Sequence, residues 1–356
     1  MFKRALVAAS VAALFAAPAF ADVSISGSAE MDLFYRTNND KGNGDTGGKL
    51  LQEIAIVINV DGKDKLDSGD VLSWRLAQKV ATPDRFDSWG IREAWIAYGG
   101  SWGTLKFGNQ WSETYLIQDW PYGSKGFSGT VGEVPNVGFG QGIGYASPNF
   151  GGFNFSAVYD IGDAYGSDVQ AYEVAGHFAA GNFNLDAGYY AAKDGLPVPA
   201  GRDWAGGPSS TRPNGLSEVN GVDYANWIVG GRATFGDFAL RAAVRGASLD
   251  AGSADADQIG YLIGGTYSFG KNALSLGYFW QESELDGANQ DDNTFETIGF
   301  QWDYALSKNT GAFLQIRHNM VGADWNSNAV IWQNADGLAA SEDNATRILV
   351  GTWTGF

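Results

Sequence analysis

The chain has 356 residues, 23 of them basic and 40 acidic, a formal charge of −17 and no cysteine. That balance lacks the basic footprint a nucleic-acid partner needs, and it offers neither disulfides nor thiolate ligands. No segment after the leader reaches 18 consecutive apolar residues, so helical membrane spans are not expected, although aromatics make up 14% of the chain and glycines number 50.

The first element is a leader. Met1-Phe2-Lys3-Arg4 is basic, Ala5 to Phe15 is apolar, and Ala19-Phe20-Ala21 is a small-x-small cleavage site. This is the layout of a secretory signal peptide over 1–21, leaving 22–356 as one domain with 21 basic and 40 acidic residues. From Asp22 onward the apolar pattern has period 2. In 22–36, Val23, Ile25, Ala29, Met31, Leu33 and Tyr35 share one face, and Ser24, Ser26, Ser28, Glu30, Asp32 and Arg36 share the other.

Similar strands follow at about 50–60, 71–80, 91–99, 103–110, 142–148, 152–160, 170–179, 183–191, 227–235, 238–247, 259–269, 273–282, 295–305, 310–320 and 344–356, which makes 16. Tight connections fall at Gly99–Trp102, Asn149–Gly151, Ala180–Asn182, Gly236–Asp237, Gly270–Asn272 and Leu306–Asn309. Long ones fall at 37–49, 111–141, 192–226, 248–258, 283–294 and 321–343. Alternation alone would also fit a soluble sandwich. An even strand number with short turns at one end and long loops at the other fits a transmembrane antiparallel β-barrel, with both termini on the short-turn, periplasmic side.

Internal repetition agrees. Val229 to Gly236 resembles Ile263 to Gly270, each ending in Phe-Gly at a tight turn and each followed by a second alternating strand. Trp89, Trp95, Trp102, Tyr159, Tyr189, Tyr190, Trp227, Tyr267, Tyr278, Trp280, Trp302 and Tyr304 lie near strand ends, as interfacial girdles require. Ile348 to Phe356 reads as a last strand that closes on the first.

Several segments resemble the Gram-negative general porin family, in particular its Neisseria-like proteobacterial group. They are Val23-Ser24-Ile25-Ser26-Gly27, Ser101 to Gln110, Tyr145-Ala146-Ser147-Pro148-Asn149-Phe150-Gly151-Gly152-Phe153 and Tyr304-Ala305-Leu306-Ser307-Lys308-Asn309-Thr310. The resemblance implies a homotrimer of 16-stranded, water-filled channels in the bacterial outer membrane. Such a channel passes small hydrophilic solutes and ions, contacts lipid and lipopolysaccharide, and is narrowed by an inward-folded third loop at 111–141. No cofactor or metal is implied. The chain departs from the family at Asn109, at Glu53 where an inward Arg is frequent, at Gly140 to Gly144 where bases are frequent, and at Thr354.

The 111–141 segment carries Glu113, Asp119 and Glu133 with Lys125 as its lone base. Strand parity places Arg75, Lys79 and Lys106 inside, and the family pattern adds Arg92 inside with Trp95 facing lipid. Bases facing acids across a lumen make a transverse field that orients polar solutes. Inward acids at Glu30, Asp32, Glu53, Glu173, Asp186 and Asp303 predict cation preference or weak selectivity.

Trp111, Tyr115, Trp120 and Tyr122 could instead form a stacking surface in a channel selective for a sugar or aromatic solute. The loops 192–226 and 321–343 would serve an adhesive barrel. Acidic loop residues read as a solvated surface, with divalent-cation bridging as the functional alternative. An enzyme is not expected. His177 and His318 lie on separate strands with no metal-ligand spacing, no motif pairs a nucleophile with a base, and Gly138 to Gly144 lacks the Lys and following helix of a phosphate cradle.

Overall fold

The computed structural model describes residues 22–40, 45–81, 92–125, 138–161, 170–194, 223–250, 252, 255–285, 293–324, 338–339 and 341–356. The leader, Glu133, Trp89 and much of 192–226 and 321–343 lie outside the described residues. The described chain forms β1 (Asp22–Asp40), β2 (Thr46–Lys65), β3 (Val71–Ala81), β4 (Glu93–Gly100), β5 (Gly103–Trp111), β6 (Gly138–Ala146), β7 (Phe153–Asp160) and β8 (Gln170–Ala180). It continues through β9 (Phe183–Lys193), β10 (Asp223–Phe235), β11 (Phe238–Asp250), β12 (Asp255–Phe269), β13 (Asn272–Leu285), β14 (Thr294–Ala305), β15 (Thr310–Val321) and β16 (Asn344–Gly355).

Each strand pairs antiparallel with its sequence neighbours, and β1 pairs with β16 to close a barrel of 16 strands. The closing register runs from Ser28↔Gly355 to Arg36↔Arg347, and Gly27 and Phe356 exchange backbone hydrogen bonds of 2.9 and 3.0 Å. Closure leaves no open sheet edge, the condition for a sheet to sit in hydrocarbon. Among the described residues, no helix is long and apolar enough to cross a membrane.

The predicted strands match in number and order, and several ends differ. The expected 37–49 loop is mostly sheet, because β1 runs on to Asp40 and β2 begins at Thr46; Asn39↔Gly47 and Asp40↔Thr46 pair beyond a bulge. Polar residues there continue a ladder that needs no apolar face. The Phe-Gly turns form as read: Gly236 and Gly270, like Gly181 in the Ala180–Asn182 turn, have φ of 57°, 58° and 57°, a left-handed conformation that glycine adopts without steric cost.

Alternation divides the wall into two chemistries. Outside, exposed aromatics form two belts, Phe153, Phe178, Phe183, Phe238 and Trp302 toward the short turns and Tyr159, Tyr172, Tyr189 and Tyr261 toward the long loops. Across β16, β1, β2 and β3 the outer face is largely aliphatic, with Ile348, Val350, Ile25, Leu33, Ile54, Ile56, Leu72 and Leu76 exposed. Inside, the rungs are polar: Gln315 donates to Gln301 at 2.8 Å and Thr297 donates to Asn319 at 2.9 Å.

Candidate functional site: a constricted lumen

After β5 the chain turns into the barrel. It forms helix α1 (Glu113–Ile117) and then one π-helical turn (Gln118–Tyr122) that contains Pro121. Proline lacks an amide hydrogen, so the regular helical ladder cannot pass it. Arg241 of β11 donates to the carbonyl of Pro121 at 2.8 Å and holds the turn.

The start of the loop is pinned by Glu173 of β8, which is 1% exposed. Its carboxylate accepts the Glu113 amide at 2.7 Å, the Thr114 amide at 3.0 Å and the Ser112 hydroxyl. Ser112 caps the helix by accepting the Tyr115 amide at 3.1 Å. Free helix N-terminal amides and a carboxylate satisfy each other. Further on, the Tyr122 hydroxyl donates to Asp186 of β9 at 2.7 Å, and burial, together with this bond, pushes its ionisation up.

Apolar packing seals the same face. Tyr115 joins Phe139, Tyr190 and Tyr224, while Ile117 and Tyr122 join Ile228, Leu262, Phe279 and Phe295. The wall leaves room by losing side chains. A Cβ at Gly230 would lie 2.2 Å from the Tyr122 ring, and one at Gly188 2.7 Å from Thr114 Oγ1.

The loop is therefore amphipathic, with Tyr115, Ile117 and Tyr122 against the wall and Asp119 and Trp120 turned to the lumen; Trp120 is 73% exposed. The four aromatics expected as one stacking surface are thus divided. Helical spacing puts Tyr115 and Tyr122 on the buried face, where they anchor the loop, and Trp111 stacks on Tyr115 at 5.4 Å.

The bases expected on the opposite wall do face inward. Arg75 bonds Asp61 at 2.7 Å and Glu93 at 3.3 Å, and Lys79 lies 3.9 Å from Glu53. The Arg92 guanidinium covers the Trp111 ring at 4.8 Å, and Asp119 interacts electrostatically with Arg92 and Lys79. Lys106 interacts with Glu113. Lys125 is elsewhere, bonded to Asp303 of β14 at 2.9 Å. So the ladder exists, but wall acids already hold much of its charge.

One expectation fails. Trp95 does not face lipid; its indole donates to Glu93 at 2.9 Å, and Lys106 lies 5.0 Å from its ring centroid. Its neighbour Ile96, at 57% exposure, takes the outer face. The register Arg75↔Trp95 sets this parity, since directly opposed residues share a face and Arg75 is inside.

Sequence reasoning listed Glu173 and Asp186 as inward acids but missed that they hold the loop. Ser112 before Glu113 was the one local cue, an N-cap residue ahead of a short helix. Nothing local pairs it with a residue 61 positions away. Among the described residues no group of three or more His, Asp and Glu side chains could hold a metal ion.

The Gram-negative porin family model matches residues 8–323. The chain belongs to the Gram-negative porins. Membership places it in the outer membrane, as a channel-forming protein. The porin is 26% identical over 324 residues to a chitoporin of Vibrio furnissii, covering 82% of this chain and 87% of that one. It is 25% identical over 348 residues to the major outer membrane protein P.IB of Neisseria gonorrhoeae, covering 91% and 93%. An anion-selective porin from Comamonas acidovorans has the same fold, with a TM-score of 0.70, 16% identity, and 94% and 100% coverage.

Proposed function

We propose that this porin is a diffusion channel for small hydrophilic solutes and ions, narrowed by the loop after β5 and weakly cation-preferring. The inward-folded helix α1, held by Glu173, is the observation that carries this reading. An open barrel of this strand number would be a wide aqueous hole. The sign of selectivity follows from the described residues around the narrowing. Glu30, Asp32, Glu53, Asp61, Glu93, Glu113 and Asp119 stand against Arg75, Lys79, Arg92, Lys106 and Arg347, a small acidic surplus, while Arg232 and Arg241 are bonded to Asp186 and to the Pro121 carbonyl under the loop.

Asp119, outside the membrane-spanning strands, has its ionisation raised by burial, against the opposing pull of Arg92 and Lys79. It therefore becomes neutral at higher pH than a free carboxylate. In a KCl gradient the reversal potential should favour cations at about pH 7 and decline on acidification. Part of that decline should be missing in Asp119→Asn. Clear anion preference at neutral pH would reject the assigned sign.

Three such barrels associate through the aliphatic outer face of β16, β1, β2 and β3. Elsewhere the wall carries aromatic belts suited to lipid and lipopolysaccharide, whereas this face has the aliphatic character of a packed contact.

A second reading is favoured by Trp120. A large aromatic left exposed in a wet lumen is the surface on which a sugar ring or aromatic solute would stack, and the name chitoporin, borne by a relative, fits a sugar. Covering about 60 Å² of ring face is worth about 1.5 kcal/mol, or roughly tenfold in affinity. If the channel is solute-selective, a chito-oligosaccharide should block single-channel current, and Trp120→Ala should raise the half-blocking concentration by about that factor. Current that no oligosaccharide interrupts would leave plain diffusion.

A further inference from the structure

One histidine is built into the base of the constriction. His177, on the inner face of β8, has cross-strand neighbours Asn154 on β7 and Asp186 on β9. Its Nδ1 lies 2.8 Å from Asp186 Oδ1 and its Nε2 lies 3.2 Å from Glu113 Oε1 of helix α1. Asp186 is 3% exposed and is also bonded by Tyr122 and by Arg232 of β10, at 2.7 and 3.1 Å. Glu173, two inward rungs along β8, faces the amides of α1 rather than the imidazole.

Ionised carboxylates only accept hydrogen bonds, and a neutral imidazole has one donor nitrogen. Satisfying both contacts requires a proton on each nitrogen. We propose that His177 is a positioning residue for ion selectivity: as imidazolium it ties the Glu113 carboxylate to the barrel wall, and on losing its proton it releases that carboxylate into the narrowing. The Asp186 side persists, because that carboxylate is buried and multiply held. The Glu113 side gives way, because Glu113 is partly exposed and its backbone remains pinned by Glu173. Deprotonation thus removes one positive charge and frees one negative charge beside Lys106, with the loop still in place. Cation preference should then rise in the alkaline direction, by a step that depends on His177.

The inference rests on the channel reading, and the chain's composition makes it separable from that reading. There are two histidines in the whole sequence. His318 is bonded to Thr346 at 2.9 Å and shares the outer parity of Ile316. Reversal potentials in a KCl gradient, taken from about pH 6 to about pH 10, should show the cation-to-anion permeability ratio rising by roughly twofold with a one-proton profile. His318→Gln should keep that rise and His177→Gln should lose it. Persistence of the rise in His177→Gln overturns the proposal.

A second measurement stands apart from conduction. In detergent-solubilised His318→Gln, His177 is the sole imidazole, so its ring ¹⁵N signals report it alone. Both nitrogens should be protonated at about pH 7. A neutral ring at that pH overturns the proposal even if the channel conducts, and it decides the question if His177→Gln does not assemble. If the protein never conducts, the channel reading fails while the ring spectrum still tests the bridge.

Discussion

Replacing Glu173 with alanine should raise single-channel conductance and admit larger solutes while leaving the barrel folded. The carboxylate accepts two amides and a hydroxyl; the bonds from Ser112 and Thr114 are buried and that from Glu113 is part-buried. Hydrogen bonds to a charged group contribute about 1.5–3 kcal/mol each, so losing all three costs about 4.5 kcal/mol or more locally. That exceeds what a five-residue helix retains by itself. The first turn of the loop should detach, and the lumen should widen where Asp119 and Trp120 now project. Glu173→Gln should loosen the turn less, because its carbonyl oxygen still accepts while its Nε2 group meets a donor on the other side. Polysaccharide exclusion in liposome swelling and single-channel current both read the outcome. Unchanged conductance and exclusion in the alanine variant would show that apolar packing by Tyr115, Ile117 and Tyr122 alone holds the loop.

A comparison of three arginine substitutions should separate the surfaces of the wall. Ile263→Arg places a charge on a site 63% exposed between the aromatic belts, and Arg near the bilayer midplane costs about 2–4 kcal/mol. The barrel should then lose thermal stability measurably. Thr266→Arg, three residues along on the opposite parity, points into the wet lumen and should leave stability nearly unchanged. Ile56→Arg lies on the aliphatic face, and there the expected result is folded single barrels in place of trimers. Heat-modified mobility on gels and mass in detergent distinguish the three. A stable Ile263→Arg variant would falsify lipid contact at that face, and an intact Ile56→Arg trimer would move the subunit contact elsewhere.

These experiments bear on parts of the molecule that were unequally readable. The alternation in 22–36 needed no partner to reveal it, because residues two apart must share a face of any strand. The strand number, the Phe-Gly turns and the inward parity of Arg75, Lys79 and Lys106 came from the same rule. Trp95 was misplaced because a family pattern was allowed to set its face, whereas the register with Arg75 decides it. The stacking aromatics were misjudged for a different reason. Trp111, Tyr115, Trp120 and Tyr122 are close in sequence, yet helical geometry sends Tyr115 and Tyr122 to the wall and leaves Trp120 in the lumen.

Local order along the chain was enough to show two-faced strands in number and sequence, since alternation repeats every two residues and depends on nothing distant, whereas closure rests on β1 meeting β16 from opposite ends of the chain. Tertiary structure alone decided how the pore is narrowed and what carries charge there. Glu173 meets Ser112 and His177 meets Glu113 across about sixty positions of intervening chain, and such contacts exist only once the sheet has curved round to bring β8 and β9 beside the loop.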